Sequence, residues 1–141
     1  MVAGDFLLEA EVRVEFAATF DAVVLLLWQD EDHWATLCFE FSPQGKPTVV
    51  SAVNREVSDD CNSVSIGGAS VHLRVARRGA GCVFLYSEYG AYGHLVRVFR
   101  LADKPLKAGF PVQSPKGGGS WAEFQGIRYR EETLGDFRSG V

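Results

Sequence analysis

Phe6-Leu7-Leu8-Glu9-Ala10-Glu11-Val12-Arg13-Val14-Glu15-Phe16 is the stretch that decides the architecture. Its even positions, Phe6, Leu8, Ala10, Val12, Val14 and Phe16, are apolar, while Glu9, Glu11, Arg13 and Glu15 stand between them. Side chains of an extended chain alternate between two faces, so the pattern predicts a half-buried strand. A helix would mix the two sets on one side.

Working outward, residues 22–28 are apolar on both faces, which predicts a central strand covered from either side. Residues 33–42 alternate again, with Ala35, Leu37, Phe39 and Phe41 set against Trp34, Thr36, Cys38 and Glu40. Ser42-Pro43-Gln44-Gly45-Lys46-Pro47 reads as a turn, because proline presets one dihedral and glycine tolerates positive φ. A strand is expected over 48–53 and a polar loop over 54–63, which contains Arg55, Glu56, Asp59 and Asp60. Val71, Leu73 and Val75 alternate with His72 and Arg74. Arg78-Gly79-Ala80-Gly81 and Glu88-Tyr89-Gly90-Ala91-Tyr92-Gly93 read as reversals into strands over 82–87 and 94–101. Final strands are expected over 107–113 and 121–129, separated by a Gly117-Gly118-Gly119 loop.

No segment sustains a 3.6-residue period, so helices should be absent or one turn long. About nine short strands with regular turn signals predict an all-β fold, the pattern of a sandwich or a barrel. Residues 1–130 should form a single sandwich domain, and 131–141, where alternation ends, a flexible C-terminal tail.

With 141 residues, 47% of them hydrophobic and 23% charged, the chain is suited to one packed domain. Its formal charge of -4 and the lack of a basic stripe argue against nucleic acid. The apolar run at 22–28 is far below the roughly 20 residues of a membrane helix, so no membrane partner is expected. Met1 to Phe6 lacks the basic and long apolar regions of a signal peptide. Cys38, Cys61 and Cys82 form no CxxC pair, and a reduced, cytoplasmic protein is the simplest expectation.

Four pieces carry a family resemblance: Gly4-Asp5-Phe6 opening the first strand; Asp21 to Trp28 followed by Asp30, Trp34 and Glu40; Arg55 with Val57-Ser58-Asp59-Asp60; and Val71-His72-Leu73-Arg74-Val75 leading to Gln113-Ser114-Pro115. In this order they resemble an uncharacterised domain family of concanavalin A-like sandwiches that includes the regulation-of-enolase proteins. The resemblance implies an antiparallel two-sheet jelly-roll sandwich of the concanavalin A-like lectin or glucanase type, more than any chemistry. Members usually carry a further segment with a tryptophan before the Gly-Asp-Phe strand, so first strands either lie outside this sequence or are dispensed with. Val23 stands where the family usually has glycine.

Lectin-like sandwiches hold sugars on a concave sheet, with aromatic rings against pyranose faces and carboxylates or amides on hydroxyls. Trp34 and Glu40 share one strand face, Trp28 and Asn54 can reach it from neighbouring strands, and Arg74 completes the candidate ligand set. The plainer reading has Trp34 as packing and Glu40 paired with Arg74. Glu9, Glu11 and Glu15 have the spacing of a glycosidase carboxylate pair, but Arg13 interrupts them and any solvated strand face looks the same. Asp30-Glu31-Asp32 and Asp59-Asp60 lack calcium-loop spacing, His33, His72 and His94 lack zinc partners, and the cysteines lack a neighbouring base. The triple glycine precedes a strand, so it forms no phosphate loop. No catalytic residue, metal or cofactor is therefore assigned. The expectation is a non-catalytic binding module for a carbohydrate or small polar ligand. Its rivals are an interaction or regulatory domain that forms a homo-oligomer through 22–28, and a glycoside hydrolase using Glu9 or Glu11.

Overall fold

The structure, a computed structural model, describes residues 1–90 and 93–139. Eleven strands follow one another: β1 (Phe6–Glu15), β2 (Ala22–Asp30), β3 (His33–Phe41), β4 (Pro47–Arg55), β5 (Val57–Ser65), β6 (Ser70–Arg78), β7 (Gly81–Ser87), β8 (His94–Arg100), β9 (Lys107–Gly109), β10 (Val112–Gln113) and β11 (Trp121–Arg130). There is no helix among the described residues.

The strands form two antiparallel sheets. One has the order β11-β1-β6-β7-β8; the other has the order β10-β2-β3-β4-β5, with β9 also on β2. Alternation explains how they pack into a jelly-roll sandwich. The even residues of β1 and the odd residues of β6 meet Val23, Leu25, Leu27, Ala35, Leu37 and Phe39 from the other sheet in one continuous core. Phe6, Val12, Leu25, Leu37 and Phe39 are wholly buried. Phe16 closes one end by packing on Phe39 and Phe41. At the other end Gln29 and the buried Arg77 both donate to the carbonyls of Ala102 and Lys104, fixing the chain between β8 and β9.

Two expectations need correction. Residues 54–63 are mostly strand β5, not a loop. Its residues are nearly all exposed, so no apolar alternation marks it, and as an edge strand it carries the polar and charged side chains that discourage further pairing. Glu56, with φ 69°, supplies the reversal from β4. Residues 107–113 are two short strands, because Pro111 has no N–H to continue the ladder, although its carbonyl still accepts from Val24 N at 2.9 Å. Beyond β11, Leu134 is buried against Leu7, Ala76, Val83 and Leu85. Arg78 donates to the carbonyls of Leu134 and Gly135 and lies over the Phe137 ring. Ala91 and Tyr92 of the expected second reversal, and residues 140–141 of the tail, lie outside the described residues.

Candidate functional site

A groove of about 500 Å³ opens on the outer face of the five-stranded sheet. It exists because the odd residues of β1 point away from the core, and their cross-strand neighbours point the same way. Glu9 lies opposite Arg128 of β11 on one side and Arg74 of β6 on the other. One pleat further on, Glu11 lies between Gln125 and His72, and Ser87 of β7 extends that row. Two adjacent rows of polar side chains thus form the groove floor.

The Arg74 guanidinium donates twice to Glu9 Oε2, from Nε at 2.7 Å and Nη2 at 2.5 Å, and both side chains are only 20% exposed. His72 Nε2 stands 4.0 Å from Glu11 Oε2. Gly90 closes against the imidazole: its φ is 77°, a Cβ there would lie 3.1 Å from the ring, and its N–H donates to Ser87 Oγ. Glycine is the residue that fits both demands.

A β-bulge aims the far wall. The register slips between Glu9 and Glu11, so that Gly126 and Ile127 together oppose Ala10, and Gly126 has φ 58°. Before the bulge Phe124 packs against the core; after it Tyr129 does, stacked on Phe6 at 5.8 Å. The switch of parity brings Gln125, Arg128 and Arg130 all to the groove. Arg130 is paired with Glu132 at 3.5 Å, whereas Arg128 has no ion pair or hydrogen bond among the described residues. Trp121, opposite Glu15 on this same sheet face, is 74% exposed.

The outer face of the six-stranded sheet holds the other expected ligand residues. Trp28, Trp34, Asn54 and Ser58 form one cross-strand row, and Ala22, Glu40 and Thr48 form another. Val24 and Cys38, beside that second row, make with its Ala22 a buried apolar seam flanked by Leu26 and Val50. Asn54 is committed to structure: its amide N donates to the Asp32 carbonyl at 2.9 Å and its amide O accepts from Ser58 at 2.6 Å. Burial and the nearby Asp60 raise the Glu40 pKa above the usual carboxylate range. Burial pushes the Cys38 thiol up to about 12 and the Cys82 thiol up to about 11, well away from thiolate chemistry at neutral pH.

The sandwich therefore divides the expected ligand set. Arg74 is in the groove, while Trp28, Trp34, Glu40 and Asn54 lie on the opposite outer face, so the five do not share a site. The expected Glu40–Arg74 pair is also corrected, since Arg74 is bound to Glu9. Among the described residues no cluster of three His, Cys, Asp or Glu has the geometry to hold a metal. No helix among them is long and apolar enough to cross a membrane.

Residues 1–132 match the model of a family described as protein of unknown function, DUF1349. The chain belongs to this family. No curated protein matches its sequence. Among solved structures, this family member resembles a functionally unknown protein from Saccharomyces cerevisiae, with TM-score 0.83 and 22% identity over 93% of this chain and 71% of that one. It also resembles xylan beta-1,4-xylosidase from Bacillus halodurans C-125, with TM-score 0.75 and 14% identity over 90% of this chain but 28% of the enzyme. Alginate lyase from Alteromonas sp. 272 superposes with TM-score 0.67 and 11% identity over 92% of this chain and 72% of that one. At these identities the likeness shows a shared sandwich fold.

Sequence reasoning missed Gln125, Arg128 and Arg130 as groove residues, and Trp121 as the exposed tryptophan. Counting alternation straight through β11 puts Gln125 and Arg128 on opposite faces. The signal that corrects the count is Gly126, since glycine inside a strand pattern marks a bulge.

Proposed function

We propose that this DUF1349 member is a non-catalytic saccharide-binding sandwich whose ligand lies in the groove of the five-stranded sheet. The observation that carries the reading is the pair of polar rows, Arg128-Glu9-Arg74 and Gln125-Glu11-His72-Ser87, facing an open groove. Such a floor offers donors and acceptors at successive pleats, the arrangement that ring hydroxyls require. Structural neighbours named for xylan and alginate chemistry give the reading its polysaccharide class. A hydrolytic role for Glu9 and Glu11 is less well supported, because the Glu9 carboxylate is occupied by Arg74.

Calorimetric titration of an oligosaccharide panel tests this. Binding should fall at least about ten-fold in Gln125→Ala and Glu11→Gln, the loss of one or two groove hydrogen bonds. It should persist in Trp34→Ala. Binding that vanishes in Trp34→Ala and survives both groove variants would return the site to the opposite face.

A second reading, interaction with a partner or a second copy through residues 22–28, is less well supported, because Ala22, Val24 and Cys38 are already buried within the monomer and only the half-buried Trp28 and Trp34 border them. Kinship with the regulation-of-enolase proteins belongs with that regulatory reading. Sedimentation at rising concentration decides it: a strictly monomeric wild type rules out the homo-oligomer.

A further inference from the structure

The charge of this protein is unevenly divided between its sheets. Residues 21–66, which supply β2 to β5, carry eight carboxylates against Lys46 and Arg55. The strands of the five-stranded sheet, by contrast, carry eight arginines against four glutamates, and Arg74, Arg128 and Arg130 line the groove beside Glu9 and Glu11.

Within the groove those cations differ in what remains for a ligand. Arg74 is neutralised by Glu9, and Arg130 by Glu132. Arg128 lies across the strand pair from Glu9, but that carboxylate already accepts two hydrogen bonds from Arg74 on the other side. The bulge at Gly126 nevertheless brings Arg128 to the groove wall. A guanidinium presents a planar fork that matches a carboxylate, and a site with one unmet fork among hydroxyl-binding groups selects a sugar that carries an anion.

Building on the saccharide reading above, we infer that the groove is selective for acidic saccharides of the uronate class, with Arg128 binding the uronate carboxylate and Gln125, Glu11 and His72 facing the hydroxyls. The arginine excess on the strands of this sheet steers such a ligand towards the groove, and the carboxylates of residues 21–66 repel it from the other sheet.

The test compares trigalacturonate with xylotriose, an acidic and a neutral trimer of similar length, by titration calorimetry on the full chain. In low salt the acidic trimer should bind about ten-fold or more tightly, as a charge-assisted contact predicts. The ratio should shrink in about 0.5 M salt, where screening shortens the reach of the charges. Arg128→Gln should bring the ratio close to one, while Lys116→Gln, outside the groove, should leave it intact. Equal affinity for the two trimers in the wild type overturns the inference and leaves saccharide binding standing. Acidic preference that survives Arg128→Gln also overturns it. Failure of both trimers, together with the wider panel, overturns the saccharide reading itself.

Discussion

On the five-stranded sheet the outward rows read Arg128-Glu9-Arg74 and Gln125-Glu11-His72; on the six-stranded sheet they read Trp28-Trp34-Asn54 and Leu26-Thr36-Ala52. Both faces cover inner faces built on the same apolar alternation, so neither difference is needed to make a sandwich. The polar rows leave a groove with a cation unpaired among the described residues, whereas the other face seals itself around Val24 and Cys38 and commits the Asn54 amide to a turn. Folding thus constrains what points inward, and the outward residues separate a receptive face from a self-satisfied one.

The sharpest way to break this contrast is through one glycine on an edge strand of each sheet. Gly126 has φ 58° in β11, while a Cβ at Gly109 in β9 would meet nothing within 4 Å. Gly126→Val forces a β-branched residue into the left-handed region, and should cost about 2 kcal/mol in urea unfolding. Because the bulge aims Arg128, groove binding should weaken with it. Gly109→Ala should be neutral or stabilise by up to about 1 kcal/mol through the unfolded chain. Equal losses at the two positions would show that the bulge has no special role.

A smaller effect is expected at the ion pair on the groove floor. Glu9→Gln and Arg74→Gln should each destabilise, and a double-mutant cycle should give a coupling of about 1 kcal/mol that falls with salt. No coupling is expected between Glu40 and Arg74, which lie on opposite faces. A coupling there would contradict the division of the sheets.

How far the sequence discloses this molecule depends on whether a residue's neighbours are local. The inward row of β1 is legible because period two needs nothing beyond the strand, and the buried set Phe6, Leu8, Ala10, Val12 and Val14 follows from it. Strand β5 escapes notice because an edge strand exposed on both faces has no alternation to read. The groove escapes notice for a different reason. Glu9 looks like a solvated carboxylate until β6 brings Arg74, 65 residues away in the chain, alongside it. Trp34 and Glu40 share one face of β3, as alternation implies, but which outward face opens into a groove depends on β11, and there the Gly126 bulge shifts the count.

The two faces should also differ in how their carboxylates respond to acid, and Glu40 gives the smallest and most specific test. Burial and Asp60 raise its pKa in the folded protein, so the folded state takes up this proton more readily than the unfolded chain. Above the folded value the ionised Glu40 therefore weakens the fold. As pH falls through that value towards the unfolded value of about 4.3, the penalty disappears. Glu40→Gln removes the charge at every pH. It should exceed wild type in stability by on the order of half a kcal/mol at neutral pH, the scale of a partly screened surface charge, and the gap should close in acid. Glu9→Gln should show the opposite sign at neutral pH, because it deletes the acceptor of Arg74. Urea midpoints for both variants at neutral and acidic pH check this. If Glu40→Gln is less stable than wild type at neutral pH, its carboxylate is a wanted group, and the outer face of the six-stranded sheet is not the self-satisfied surface described above.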